Sequence, residues 1–276
     1  MTATVQTDDY PLERSLEEYR LQLQARHHLD RIAERMLREA GLEPGMRVLD
    51  MGSGMGDLAL VAANMVGPSG HVTGVERDGG TLAAARRRIG ELGVANVDLV
   101  EGVVTALEEV PGGPFDAAIG RLVLHYVPEP AEALRSAAAA VRPGGLVVAM
   151  EYDIVAMTSH PHVASWDRVP VLAVELFTRA GTHPRLGLEL RHEFLRAGLP
   201  DPVLRGEVHV GGAPHDLAYA VAAETMRSMA PAMEAAGIAT IAELELDNLE
   251  QRLRADVLAA GATVTSPLVG AAWARV

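Results

Sequence analysis

Three glycines at alternate positions, Gly52, Gly54 and Gly56, are the first residues of the chain whose type and spacing suggest chemistry. Before them, Arg47-Val48-Leu49-Asp50-Met51 reads as a short buried strand that closes on an acid, and after them Leu58 to Ala63 reads as a helix. Glycine lets the backbone take left-handed angles and approach a ligand closely. A helix start presents N–H groups that have no acceptor inside the helix. A strand, a glycine turn and a helix start therefore make a nucleotide site. A dinucleotide fingerprint, Gly-x-Gly-x-x-Gly, would need its third glycine at position 57, where the chain has Asp57. The stretch Gly70 to Arg77 reads as a second strand ending in Glu76, one strand–helix–strand step beyond Asp50. A carboxylate there accepts hydrogen bonds from both ribose hydroxyls and repels a 2′-phosphate. Arg77, beside it, is the one feature that points towards NADP.

The chain has 276 residues, enough for one large α/β domain or a smaller domain with an elaboration. Its hydrophobic share is 49% and its mean hydropathy +0.12, which implies a substantial core. No apolar run approaches the roughly 20 residues of a membrane span, and the acids Asp8, Asp9, Glu13, Glu17 and Glu18 do not suit a secretory signal. There is no cysteine, hence no disulfide framework and no cysteine–zinc site. The expected compartment is the cytoplasm. All 24 basic residues are arginine, which excludes lysine Schiff-base chemistry, and a net charge of −13 disfavours a nucleic-acid partner. A small-molecule substrate is expected, with no membrane partner, and a homodimer is left open.

The elements that must position these residues follow in order. Residues 12–40 carry helical spacing through Leu16, Leu23, Leu29, Ile32, Met36 and Leu37, stopped by Gly41. Residues 80–93 form a helix, 97–102 a third strand, 114–121 a fourth, 131–141 a helix and 146–151 a fifth strand. Helices are expected near 166–180 and 188–197, a strand over 201–210, helices through 215–260 with a break between Gly237 and Thr240, and a final strand over 264–276.

Asp50-x-Gly52-x-Gly54-x-Gly56 resembles motif I of the class I S-adenosylmethionine-dependent methyltransferases. The acidic second strand, the run Gly120-Arg121-Leu122-Val123-Leu124-His125-Tyr126-Val127-Pro128-Glu129-Pro130 and the turn Arg142-Pro143-Gly144-Gly145 extend the resemblance, in the right order, over about residues 45–152. The resemblance implies an α/β, Rossmann-like, doubly wound sheet of seven strands, the last antiparallel, with helices on both faces. It also implies a division into an N-terminal cap helix region (1–41), a cofactor-binding core (42–153) and a remainder (154–276) that completes the sheet and carries a helical substrate cap. S-adenosylmethionine is the cofactor it implies. The residues expected around that cofactor are Tyr19 and Gln24 from a helix over its methionine end, Asp50, Gly52, Ser53, Gly54 and Gly56, Glu76 and Arg77, then Gly102, Val103 and Val104, and Gly120 with Arg121. Where the family usually has Gly-Asp after the third strand, this chain has Gly102-Val103, so backbone contact and apolar packing replace an acid at the adenine.

A sulfonium is already a good leaving group, so positioning supplies much of the catalysis. A base is needed only where the acceptor must lose a proton. His125 is the expected base, because it follows the fourth strand and histidine titrates near neutrality. Tyr126 and Tyr152 are expected to orient the acceptor. Glu151 and Asp153 are expected as solvated or structural carboxylates, with attraction of an amine substrate as their alternative role. His160-Pro161-His162 lacks a fixed acidic third ligand and is not read as a metal site. Met226, Met229 and Met233 sit at helical spacing and are expected to pack in a core, with lining of an acceptor pocket as the alternative. Methyl transfer to a small hydrophobic molecule is the expected activity, O-methylation ahead of C- or N-methylation. The rival readings are a non-methylating reaction in the same fold, such as cyclisation, and an NAD-dependent oxidoreductase.

Overall fold

The computed structural model describes residues 29–276. Tyr19, Gln24 and most of the N-terminal helical pattern lie outside the described residues. The chain divides into two compact units. One comprises Asp30–Glu151, Leu186–Gly206 and Gly270–Val276; the other includes Tyr152–Arg185 and Glu207–Val269.

The first unit is built on alternating helices and strands. Helix α1 (Asp30–Ala40) buries Ile32, Ala33, Met36, Leu37 and Ala40, a stripe set by the helical period. Strand β1 (Arg47–Met51) leads through the glycine turn into α2 (Asp57–Val66), and β2 (His71–Glu76) leads into α3 (Gly79–Glu91). Asp78 caps α3 by accepting from the Thr81 N–H at 2.8 Å. Strands β3 (Val97–Glu101) and β4 (Phe115–Arg121) follow. Helix α4 (Pro130–Ala140) starts with proline, whose missing N–H costs nothing in a first turn, and strand β5 (Val141–Asp153) comes next.

Beyond β5 lie a short strand β6 (Ser159–His160), α5 (Ala164–Arg179), α6 (Leu186–Arg196), β7 (Val203–Glu207) and β8 (Val210–Gly211). Then come α7 (Ala218–Ala235), α8 (Ile241–Leu244), α9 (Leu249–Ala260), β9 (Thr263–Thr265) and β10 (Leu268–Arg275). Seven strands form one sheet in the order β3-β2-β1-β4-β5-β10-β7. The pairs β1–β2, β2–β3, β1–β4 and β4–β5 are parallel, and the last strand of the sheet in sequence, β10, is antiparallel. The order reverses between β1 and β4, and in an open α/β sheet ligands bind outside the carboxyl ends of the strands at such a reversal. The expected Rossmann-like sheet is therefore the one observed. Its core joins Leu49 and Met51 of β1, Phe115 of β4, Leu134 of α4, Leu190 and Phe194 of α6 and Ala272 of β10.

In the second unit β6, β9 and β8 form a small antiparallel sheet. Met226, Met229 and Met233 are buried on α7, and Trp166 of α5 meets Tyr219 of α7 edge-to-face at 5.9 Å. Two expectations are corrected here. The final strand over 264–276 is two strands, β9 and β10, separated at Ser266-Pro267, where proline has no N–H for a ladder. The strand over 201–210 is the shorter β7, with β8 as a separate strand in the small sheet. The break in the late helices is where the sequence suggested, and Thr240 with Glu243 completes a capping box at the restart.

Phe194 is fully buried between sheet and helices. Phe194→Ala should destabilise the protein by about 3–5 kcal/mol in urea unfolding. A loss below about 1 kcal/mol would show that α6 does not close this core.

Candidate active site

The glycine turn lies at the carboxyl end of β1. Gly52, Gly54 and Gly56 have φ of 67°, 51° and 83°. A Cβ on Gly52 would lie 2.2 Å from Val123 Cγ2, whereas a Cβ on Gly54 would meet nothing within 4 Å. The first glycine therefore serves close packing against the turn after β4, and the second leaves open space beside the backbone. Two side chains tie the turn down. Glu76, at the end of β2, accepts the Gly54 N–H at 3.0 Å and the Asp78 N–H at 2.9 Å. Arg88 of α3 donates to the Met55 carbonyl at 2.8 Å and to Asp57 Oδ1 at 2.7 Å. Asp57, the residue in place of a third fingerprint glycine, thus has an arginine partner at the start of α2.

Asp50, the penultimate residue of β1, is buried, and its Oδ2 has no hydrogen-bond partner among the described residues. Ser53 Oγ is likewise buried and unpartnered among them. Burial pushes the Asp50 carboxyl up to about 8. The charge of Arg121 and the Ala59 N–H pull the other way, and the nearby Asp57 and Glu76 add to the rise. A cation brought beside Asp50 would favour its carboxylate.

At the end of β4 the backbone turns sharply. Leu122 has φ of 56°, a left-handed conformation that costs a branched residue roughly 1–3 kcal/mol. Three bonds hold it: Leu122 N–H to the Met150 carbonyl at 2.9 Å, and the Val123 and Leu124 N–H groups to Glu151 Oε1 at 3.0 and 2.8 Å. The other oxygen of Glu151 lies 2.5 Å from His125 Nδ1. Glu151 is fully buried and His125 is 5% exposed. Of the expected roles for Glu151 the structural one is observed: it is neither solvated nor a surface lure for amines, and its three contacts all go to the turn that carries His125. His125 sits in a short 3-10 turn, Leu124–Tyr126. The Tyr126 ring centroid is 3.9 Å from that of His125.

The other expected positions are placed as follows. Gly120 is buried, with Met51 and Val123 where its Cβ would be, and Arg121 ends β4 with its side chain 8% exposed and Nη1 3.0 Å from Asp30 Oδ1. Gly102 follows β3, Val103 is 50% exposed and Val104 packs against the core. Arg77 is exposed. Tyr152 is half-buried, the penultimate residue of β5, and belongs to the second unit. Asp153, expected as a solvated or structural carboxylate, is the structural kind: it is 1% exposed, accepts the Ala156 N–H at 3.0 Å and faces Arg185 at 3.5 Å. The first unit thus holds Asp50, the glycine turn, Glu76, Gly120, Arg121, His125 and Tyr126, with the glycine turn and the Leu122 turn in direct contact. The roles of Arg88 and Glu151 were missed, because the contact is made across 33 and 26 residues and neither stands in a recognisable motif.

Residues 42–177 match the family model described as a methyltransferase domain. A demethylmenaquinone methyltransferase from Listeria welshimeri is 30% identical over 46% of this chain and 51% of its own. A ubiquinone/menaquinone biosynthesis C-methyltransferase, UbiE, from Methylobacterium nodulans is 34% identical over 45% and 46%. The chain thus spans about half the length of the curated relatives it matches. Among solved structures, the YcgJ protein from Bacillus subtilis superposes with a TM-score of 0.51 at 16% identity, over 88% of this chain and 98% of that one, and supports the fold. Residues 42–177 thus carry a methyltransferase domain, and S-adenosylmethionine is the cofactor that the sequence resemblance implies. The structure fits that group: there is open space beside Gly54, an acid at the end of β2, and an unpartnered buried carboxylate oxygen for a cationic ligand.

Two outcomes follow from this geometry. Gly54→Ala places a methyl group in open space, so unfolding in urea should show only the left-handed backbone cost of about 1–2 kcal/mol, while calorimetry should show S-adenosylhomocysteine affinity lost; unchanged affinity would move the cofactor elsewhere. The second concerns Asp50, whose carboxyl is raised on folding from 3.8 to about 8. Its contribution to stability is fully present below the unfolded value and is lost as pH rises through about 8. Between pH 6 and 8 the protein alone should lose stability by up to about 1.4 kcal/mol per pH unit from this group. Asp50→Asn should remove that slope, and an identical slope in the variant would assign it to another group.

Proposed function

We propose that the protein transfers the methyl group of S-adenosylmethionine to a small, hydrophobic acceptor, with His125 as the general base and Glu151 holding it. The single observation that carries this reading is the 2.5 Å contact between His125 Nδ1 and the buried Glu151 carboxylate, at the sheet reversal and beside the glycine turn. Glu76 would accept the ribose hydroxyls, the turn from Gly52 to Gly56 would let the backbone approach the bound molecule, and Val103 with Val104 would pack on the adenine. When bound, S-adenosylmethionine supplies an electrophilic methyl group on a positively charged sulfur.

The chain's own residues then act on the acceptor. A carboxylate on Nδ1 fixes the tautomer and ring orientation of a histidine, so Nε2 is the nitrogen that would take the acceptor's proton. Tyr126, beside the imidazole, would orient the acceptor. The names of the two relatives, one a C-methyltransferase, shift the preference away from O-methylation alone. A ring carbon next to a hydroxyl also loses a proton when it is methylated, so one base serves a phenolic oxygen or an activated carbon.

The test is product mass after incubation with S-adenosylmethionine and a panel of naphthoquinols and phenols. One added methyl group with S-adenosylhomocysteine released supports the reading; conversion without added mass would mean a rearrangement such as cyclisation, and consumption of NAD with no methylation would mean an oxidoreductase. On the methylated acceptor, His125→Ala should lower kcat by about 100-fold or more with S-adenosylhomocysteine affinity retained. Glu151→Gln should lower kcat more than it raises KM. Full turnover of His125→Ala would remove the base.

A further inference from the structure

Arg121 is almost entirely buried at the end of β4, with its side chain 8% exposed, yet among the described residues its guanidinium makes one hydrogen bond, Nη1 to Asp30 Oδ1 at 3.0 Å. Five N–H donors in a fixed fork suit a planar two-oxygen acceptor, and a single contact to one carboxylate oxygen leaves most of that fork unused. Asp30 belongs to the first turn of α1, and its side chain is 41% exposed. It can therefore exchange its partner for water at small cost, whereas Arg121 cannot.

The sheet register says where the open donors lie. Met51, the last residue of β1, is paired with Gly120 of β4, so Arg121 ends β4 beside the start of the glycine turn, at the reversal of strand order. Arg121 also acts electrostatically on Asp50, which places its charge within the carboxyl-end crevice. The groups around that crevice are otherwise acidic: Asp30, Asp50, Asp57 and Glu76, with Arg88 already committed to Met55 and Asp57. Such surroundings suit the cationic centres of S-adenosylmethionine, and its one anionic group needs a cation.

We propose that Arg121 is the seat of the cofactor's α-carboxylate, and that Asp30 is a stand-in which the incoming carboxylate displaces or joins. This rests on the S-adenosylmethionine reading above and adds to it the residue that distinguishes the amino-acid end of the ligand from its nucleoside. It also makes α1 sensitive to the ligand through the residue at its first turn, since the Asp30–Arg121 contact ties that turn to β4.

The experiment is calorimetric binding, without turnover, of two probes: S-adenosylhomocysteine, which carries the α-amino acid, and 5′-methylthioadenosine, which keeps the adenosine and sulfur but lacks it. Arg121→Met should weaken S-adenosylhomocysteine by about 10- to 100-fold and leave 5′-methylthioadenosine unchanged. Arg121→Lys, which keeps the charge but not the fork, should fall between. Asp30→Asn should tighten S-adenosylhomocysteine a few-fold and leave 5′-methylthioadenosine alone. Equal loss of both probes in Arg121→Met would make the residue structural, and an unchanged ratio of affinities would overturn the assignment. If Arg121→Met fails to fold in a thermal scan, Arg121→Lys and Asp30→Asn decide: an unchanged ratio in both overturns the proposal. A wild-type protein that binds neither probe overturns the cofactor reading itself, whereas one that binds both, with the ratio insensitive to Arg121, overturns this inference alone.

Discussion

Gly52 and Val123 lie so close that no side chain fits between them. That contact joins the two turns on which the site depends, one leaving β1 and the other leaving β4. It requires glycine at position 52 in a left-handed conformation, and it forces the chain after β4 to turn at once, through Leu122 with φ of 56°. A branched residue does not hold that conformation by itself. Glu151 holds it, accepting two successive backbone N–H groups with one oxygen and meeting His125 with the other. The strain at Leu122 and the aim of His125 are therefore two consequences of one buried carboxylate. The proposed cofactor and acceptor sides therefore share a wall made of backbone.

The electrostatics follow from the same compression. The carboxyl edge of the sheet gathers Asp50, Asp57 and Glu76 within a small space, and burial holds the Asp50 carboxyl at about 8 in the protein alone. A dinucleotide, with its anionic pyrophosphate, would be repelled by these acids, whereas a ligand with a sulfonium and an ammonium gains from each of them. Asp57 sharpens the distinction, because its side chain occupies the position where a dinucleotide fingerprint needs glycine and is engaged by Arg88. The site is thus tuned by charge as well as by the shape of the glycine turn.

The parts legible in the sequence were those encoded over short distances. Gly52, Gly54 and Gly56 occupy a few adjacent positions, Glu76 ends the next strand, and alternating helices and strands imply a parallel doubly wound sheet, so the first five strands were readable. The parts that were not legible depend on distant pairs. Nothing local in Met150-Glu151-Tyr152 says that the carboxylate turns back 26 residues to His125, and its apolar strand offered no more than an acid at an end. Arg88 lies among three consecutive arginines of a helix, and only the fold chooses the one that clamps Met55 and Asp57. The split of residues 264–276 into β9 and β10 was marked by Pro267, a signal present in the sequence but outweighed by the apolar run after it.

The measurement that tests the account most directly is parallel calorimetric titration of the purified protein with S-adenosylmethionine, S-adenosylhomocysteine and NAD. One site should take both sulfur-containing ligands and no NAD, because the acids at the carboxyl edge favour cationic ligands and Asp57 blocks the third glycine position. Binding of NAD with no response to either sulfur ligand would contradict it, and would mean that the glycine turn, for all its resemblance, cradles a pyrophosphate.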